Sequence, residues 1–198
     1  VSSQYQDAKG LKLTAKVLNL DMTEKYSQQA TVDAAADSTN QALTLPEIQD
    51  LSPTYFLVLR LEDANGKPVG SNFYWLSTKQ ETLDWEKSNW FTTPTSSYAD
   101  YTALSQLPKV KLKIASRTEH KGTDAITYVS VENPSKSLAF FLRLKVNKSG
   151  KEILPVLWQD NYFSLLPGEK REVSATYRAS ELGTAKPAVE VSGWNATQ

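Results

Sequence analysis

The sequence predicts an all-β protein made of two immunoglobulin-like β-sandwich domains. Three observations carry that expectation. Apolar residues recur with period 2 through most of the chain, clusters of Gly, Pro, Asn and Asp punctuate the runs, and the alternation lapses once, over residues 78–108. At 198 residues the chain can hold two small domains, each with a core of its own.

Leu11, Leu13, Ala15 and Val17 alternate with Lys12, Thr14 and Lys16, the signature of a half-buried strand. The phase then slips to Leu18 and Leu20, which predicts a bulge before the turn Asp21–Glu24. Tyr26 to Val32 reads as the returning hairpin strand. Ala34–Asp37 is too short to nucleate a helix, and Ala42–Leu45 reads as a strand stopped by Pro46. Tyr55–Leu61 is apolar at successive positions, as expected of a central strand covered on both faces. The Asn65-Gly66 turn leads to Val69 and to Asn72–Leu76, where Trp75 is expected in the core.

Residues 78–108 carry Trp85, Trp90, Phe91, Tyr98 and Tyr101 without sustained period. Loops of this length are uncommon unless they pack or function, so the segment is expected to lie across the first sandwich, held by its aromatics, with a helical turn or two in Tyr98–Leu104. Alternation resumes at Val110, Leu112 and Ile114 and continues through Thr127–Val131, Phe140–Val146, Ile153–Trp158, Phe163–Leu165, Val173–Tyr177 and Val189–Val191. That is about seven strands, the number of an immunoglobulin-like sandwich. Their turns are expected at Glu119–Gly122, Asn133–Ser135 and Asn147–Gly150. Tyr177 shares the inward phase of Val173 and Ala175 and is expected to bond the Pro167-Gly168 corner through its hydroxyl. Leu59-Arg-Leu61 followed by Gly66-Lys67 is echoed by Leu142-Arg-Leu144 followed by Gly150-Lys151, which suggests two related units. The division is placed at 1–108, including the connector 78–108, and 109–198.

Composition excludes several classes of function. Lys plus Arg and Asp plus Glu number 22 each, so no net field draws the chain to nucleic acid or to an anionic membrane. The absence of cysteine removes disulfide frameworks, thiolate metal sites and cysteine nucleophiles. No apolar run reaches the roughly 18 residues that a membrane-spanning helix needs. His120 is the only histidine and sits in a charged segment, leaving little for a triad or an imidazole metal site. No cofactor is expected. The sequons Asn147-Lys-Ser149 and Asn195-Ala-Thr197 would matter only in a glycosylating host.

The ordered motifs Leu18–Ser27, Asn72–Ser77, Thr82–Trp85, Ser97–Asp100, Val131–Asn133, Leu154–Glu169, Ala175–Tyr177 and Ser192–Asn195 resemble the C-terminal sandwiches of glycoside hydrolase family 2 exo-β-D-glucosaminidases and related β-mannosidases. The resemblance implies a chain from behind a (β/α)₈ catalytic barrel, with the first strands of its first domain lying before Val1. It implies a non-catalytic accessory region that braces this barrel as its partner, and a parent enzyme that is retaining and secreted or periplasmic. The carboxyl pair about 5 Å apart that such hydrolysis requires is implied to sit on the barrel. No residue here inherits that role. Asp160 is instead expected to cap its turn, and Glu169 to face solvent beyond the Pro-Gly corner.

Two other readings stand beside this one. Tryptophan faces can stack on sugar rings, so Trp85, Trp90, Trp158 and Trp194 could form an oligosaccharide platform, with Asp160 and Asn161 beside Trp158 as polar contacts. A free-standing adhesion module is the other, and an upstream barrel-encoding segment in the complete gene separates it from the scaffold.

Overall fold

The computed structural model describes residues 1–197 and shows an all-β protein in two compact units, Val1–Gln106 and Leu107–Gln198. The first unit contains β1 (Ala8–Asn19), β2 (Glu24–Ala34), β3 (Thr54–Glu62), β4 (Pro68–Ser77), β5 (Thr82–Leu83) and β6 (Thr95–Ser97). Its main sheet is antiparallel in the order β2-β1-β3-β4, and β5 pairs with β6 alone.

Period-2 patterning sets which face of this sheet is buried. Leu11, Ala15 and Val17 of β1 and Phe56 and Val58 of β3 are buried, whereas Tyr55, Leu57, Leu59 and Leu61 on the opposite face of β3 are half-buried. The expected phase slip is present: register against β2 shifts between Val17 and Leu18, which pair with Tyr26 and Glu24 and leave Lys25 as the extra residue. Both Val17 and Leu18 are buried. Ala42–Leu45 forms no strand, although Leu43 and Leu45 are half-buried. Pro46, which has no N–H to donate, follows directly. Trp75 is exposed rather than core, because β4 is the outermost strand of the sheet.

The second unit contains β7 (Val110–Lys111), β8 (Lys113–Lys121), β9 (Asp124–Glu132), β10 (Ala139–Lys148), β11 (Lys151–Glu152), β12 (Leu157–Trp158), β13 (Phe163–Leu165), β14 (Lys170–Arg178), β15 (Ala188–Ser192) and β16 (Ala196–Thr197). One sheet runs β12-β14-β9-β8, and the other gathers β11, β13 and β15 around β10. Strict alternation buries Ala125, Thr127, Val129 and Val131 of β9 and Val173, Ala175 and Tyr177 of β14. These pack with Leu142, Leu144, Val146 and Val191 into the sandwich core. Leu59-Arg-Leu61 and Leu142-Arg-Leu144 lie on the central strands β3 and β10 of their respective sheets.

Three expectations are corrected in this unit. His120 lies at the end of β8, opposite Ala125, because the turn is displaced to Gly122-Thr123, where Gly122 supplies a φ of 61°. Ile153–Trp158 is not one strand: Pro155, which has no N–H to donate, lies between β11 and β12. Tyr177 is buried, but its hydroxyl bonds Thr127 Oγ1 at 2.8 Å rather than the Pro167-Gly168 corner, since Thr127 points inward from the adjacent strand. That corner is held by Asn133, whose carbonyl accepts from Gly168 N at 2.9 Å.

At Gly193 an added Cβ would stand 2.7 Å from Leu142 Cδ2 and 3.1 Å from the Phe140 carbonyl oxygen. Gly193→Ala is therefore expected to destabilise the second unit by about 1 to 3 kcal/mol, the usual cost of overpacking, read as a lower urea midpoint. Tyr177→Phe leaves the ring in place but removes the hydroxyl from Thr127. A loss of about 0.5 to 1.5 kcal/mol is expected, and an unchanged midpoint would show that bond to be worthless.

Candidate functional site

Four of the residues proposed for sugar contact, Trp158, Asp160, Asn161 and Trp194, lie in the second unit. Trp158 is half-buried and packs against both apolar clusters of the sandwich, so its ring is engaged in the core. Asp160 accepts from Arg171 Nη1 at 2.7 Å, and the same guanidinium lies 4.6 Å from the Phe163 ring centroid. The expected turn cap is made by Asn161 instead. Its Oδ1 accepts from Leu144 N at 2.8 Å and from Tyr162 N at 2.9 Å, and its Nδ2 donates to the Leu144 carbonyl at 3.0 Å. Trp194 is 57% exposed, and its backbone N–H is fixed to the Phe140 carbonyl. Of these four residues, Trp194 is the one that presents a large exposed ring. Glu169 accepts from Leu166 N at 2.6 Å and closes the Pro-Gly corner.

Sequence reasoning missed two further surface aromatics. Phe141 and Tyr162 hold φ of 55° and 58°, a region that bulky residues rarely occupy, and their ring centroids lie 5.5 Å apart. The bulge between Ala139 and Leu142 turns Phe141 outward, with its N–H on Ser164 Oγ. Alternation cannot reveal such a residue, because it adds one position to one strand only.

Two buried asparagines were visible in the motifs, but their role was not. Asn133 is fully buried: its Nδ2 donates to the Ser137, Leu165 and Leu166 carbonyls, and its Oδ1 accepts from Ser135. Asn195, 1% exposed, accepts from Phe140 N on Oδ1 and donates from Nδ2 to the carbonyls of Pro108 and Leu138. Its burial also removes the Asn195 sequon from reach of a modifying enzyme in the folded unit. At the other sequon, Asn147 donates to Glu190 Oε2; this bond, with Lys145, holds the Glu190 carboxyl below its ordinary range.

The expected aromatic packing of the connector is overturned. Trp85, Trp90, Phe91 and Tyr98 are exposed, Trp90 to 92%, and no residue from 78 to 99 is buried. Polar groups hold the segment instead. Asp84 Oδ1 accepts from Lys87 N at the 3₁₀ turn Trp85–Lys87, Asn89 Oδ1 accepts from Phe91 N and Thr92 N, and Ser88 and Thr93 hydroxyls meet at 2.8 Å. At its root Asp100 N donates to Ser77 Oγ and the Asp100 carbonyl accepts from Thr54 Oγ1. Thr102 bonds the Asp100 carboxyl through hydroxyl and amide, lowering its pKa and opening the 3₁₀ turn Thr102–Gln106.

The outer face of β8, β9 and β14 forms an open concavity where the Arg117 guanidinium lies 4.0 Å from the Tyr128 ring centroid. Among the described residues no three His, Cys, Asp or Glu side chains gather as a metal site.

The fold is that of tandem immunoglobulin-like modules. Residues 90–196 match the model of the exo-beta-D-glucosaminidase Ig-fold domain, and residues 1–79 that of the mannosidase Ig/CBM-like domain. The chain belongs to the exo-β-D-glucosaminidase Ig-fold domain family. It is 40% identical to the exo-beta-D-glucosaminidase of Streptomyces avermitilis, aligning over 100% of its own length and 23% of that enzyme's. The corresponding protein of Arthroderma benhamiae is 35% identical over 92% of this chain and 20% of its own. The crystal structure of Amycolatopsis orientalis exo-chitosanase CsxA superposes with a TM-score of 0.94 at 39% identity, covering 98% of this chain and 24% of that one. The chain thus spans about a fifth to a quarter of these relatives.

Asn195→Ala strands the Phe140 N–H and the Leu138 carbonyl in the interior. It is expected to destabilise the second unit by on the order of 3 kcal/mol, from the cost of unsatisfied buried groups, measured by urea unfolding. A loss below about 1 kcal/mol, no more than one ordinary hydrogen bond, would contradict this role.

Proposed function

We propose that this chain is a non-catalytic accessory region of an exo-β-D-glucosaminidase-type glycoside hydrolase of family 2, and that it braces the catalytic barrel of the same polypeptide. One observation carries the reading: a chain matched along almost its whole length by single-chain enzymes accounts for no more than a quarter of their length. The local chemistry agrees with it. Asp160 is paired with Arg171 and Glu169 closes a corner, so both carboxylates considered for catalysis serve the fold. The paired carboxyl groups of a retaining mechanism then belong to the barrel. The working domains of this reading are 1–108 and 109–198, no cofactor takes part, and the parent acts outside the cytoplasm.

The exposure of Trp85, Trp90 and Trp194 favours a second reading, an oligosaccharide-binding module. The two are separated by one set of measurements on the isolated chain and on a parent enzyme lacking it. The scaffold reading expects no release of chromophore from a β-glucosaminide by the chain. It further expects no better than millimolar binding of chito-oligosaccharides, and a truncated parent with a lowered thermal midpoint. Hydrolysis abolished by Glu169→Gln, or a truncated parent as stable as the full one, would overturn the scaffold. Micromolar sugar binding lost in Trp194→Ala would install the module in its place.

A further inference from the structure

The excursion from residue 78 to residue 99 inverts the usual arrangement of a folded segment. Its interior is stitched by Asp84, Ser88, Asn89 and Thr93, while Trp85, Trp90 and Phe91 stand outward at 71%, 92% and 67% exposure. Asp84 N bonds the Pro94 carbonyl and Asn89 N the Thr92 carbonyl, so the backbone is closed across the hairpin at two levels. Trp90 and Phe91 are also set against each other edge to face, with centroids 4.7 Å apart. A loop ordered by its own polar groups holds its aromatics in place before any partner arrives, which lowers the entropic cost of docking. Trp is moreover the residue most enriched among energetic anchors of interfaces.

We infer that the tip of this hairpin is the docking element through which the first unit seats against the catalytic domain of its own polypeptide. The inference rests on the accessory reading above and names the surface that reading requires. The size of the patch selects this occupant. At about 200 Å² per large aromatic side chain, the three rings offer on the order of 450 Å². Interfaces between domains of one chain bury about 300 to 750 Å² on each side. A stable complex of separate proteins needs about 800 Å² on each side. The tip falls within the first range and short of the second, and covalent linkage supplies the effective concentration that a small interface needs. The unaligned three quarters of the relatives provide the chain that would cover it. The edge-to-face pair also argues against a sugar, because two steep rings offer no common plane for stacking.

Hydroxyl-radical footprinting of the full-length enzyme tests the surface directly. Trp85, Trp90 and Phe91 are expected to be oxidised several-fold more slowly than in the 198-residue chain, independently of protein concentration and without sugar. The paired substitution Trp90→Ala and Phe91→Ala is expected to lower the thermal midpoint of the full enzyme while leaving that of the chain unchanged. Equal oxidation in the two proteins overturns the inference. So does protection that appears only at high protein concentration, which makes the occupant a second copy, or only with glucosamine oligosaccharide, which makes it a sugar. If removal of all 198 residues destabilises the enzyme but the paired substitution does not, the brace stands and the tip is excluded. If neither does, the accessory reading fails first.

Discussion

The second unit depends on the side chain of Asn195. A carboxamide offers donors and an acceptor on one planar group, and at this position they reach three backbone groups that no ladder serves: Phe140 N, Leu138 O and Pro108 O. The Asn195 carbonyl also accepts from Val110 N, which starts the parallel pairing of β16 with β7. One residue near the chain's end therefore fixes where the unit begins, where β10 begins and how its last strand lies. Asn133 does the same at the Pro167-Gly168 corner, joining Ser137 to Leu165 and Leu166. Buried backbone groups at such corners must be paired with something, and here the two carboxamides pair them.

Regular segments of the fold were legible because alternation is a physical requirement of a sheet with one buried face. β9 and β14 follow it residue for residue, and the phase slip at Val17-Leu18 marked a real bulge. Failures fall where a single residue breaks the repeat. Gly122 moved a turn by two positions and left His120 in a strand; Pro155 split a run that read as continuous; Trp75 looked apolar enough for the core yet sits on an edge strand. Period reports which residues share a face, not whether anything covers that face.

The polar residues were harder to read for a related reason. Asp160 and Asn161 beside Trp158 suggested a sugar site by adjacency in sequence, but each has a partner that sequence spacing does not reveal: Arg171 and Leu144. Tyr177 was correctly placed inside, while its partner was misassigned because Thr127 becomes a neighbour only through the β9–β14 register. A composition cue carries no information about cross-strand pairing. The motif Ser192–Asn195 marked an informative stretch, and the structure locates its importance in packing at Gly193 and in hydrogen bonding at Asn195.

The connector shows why polar stitching and exposed aromatics belong together. Had the segment been fixed by burying its tryptophans, as large aromatics ordinarily are, those rings would have been spent on the first sheet and the loop would present a polar surface. Fixing it through Asp84, Asn89 and the Ser88–Thr93 hydroxyl pair leaves the rings outside and the backbone ordered. The root of the segment is tied to β3 and β4, where Asp100 bonds Thr54 and Ser77. An unordered loop with the same three aromatics would collapse onto the nearest apolar surface, since burial of each ring is worth about 1.5 to 3 kcal/mol. The polar stitches thus let an aromatic surface persist in water, and they give the connector a defined outer face.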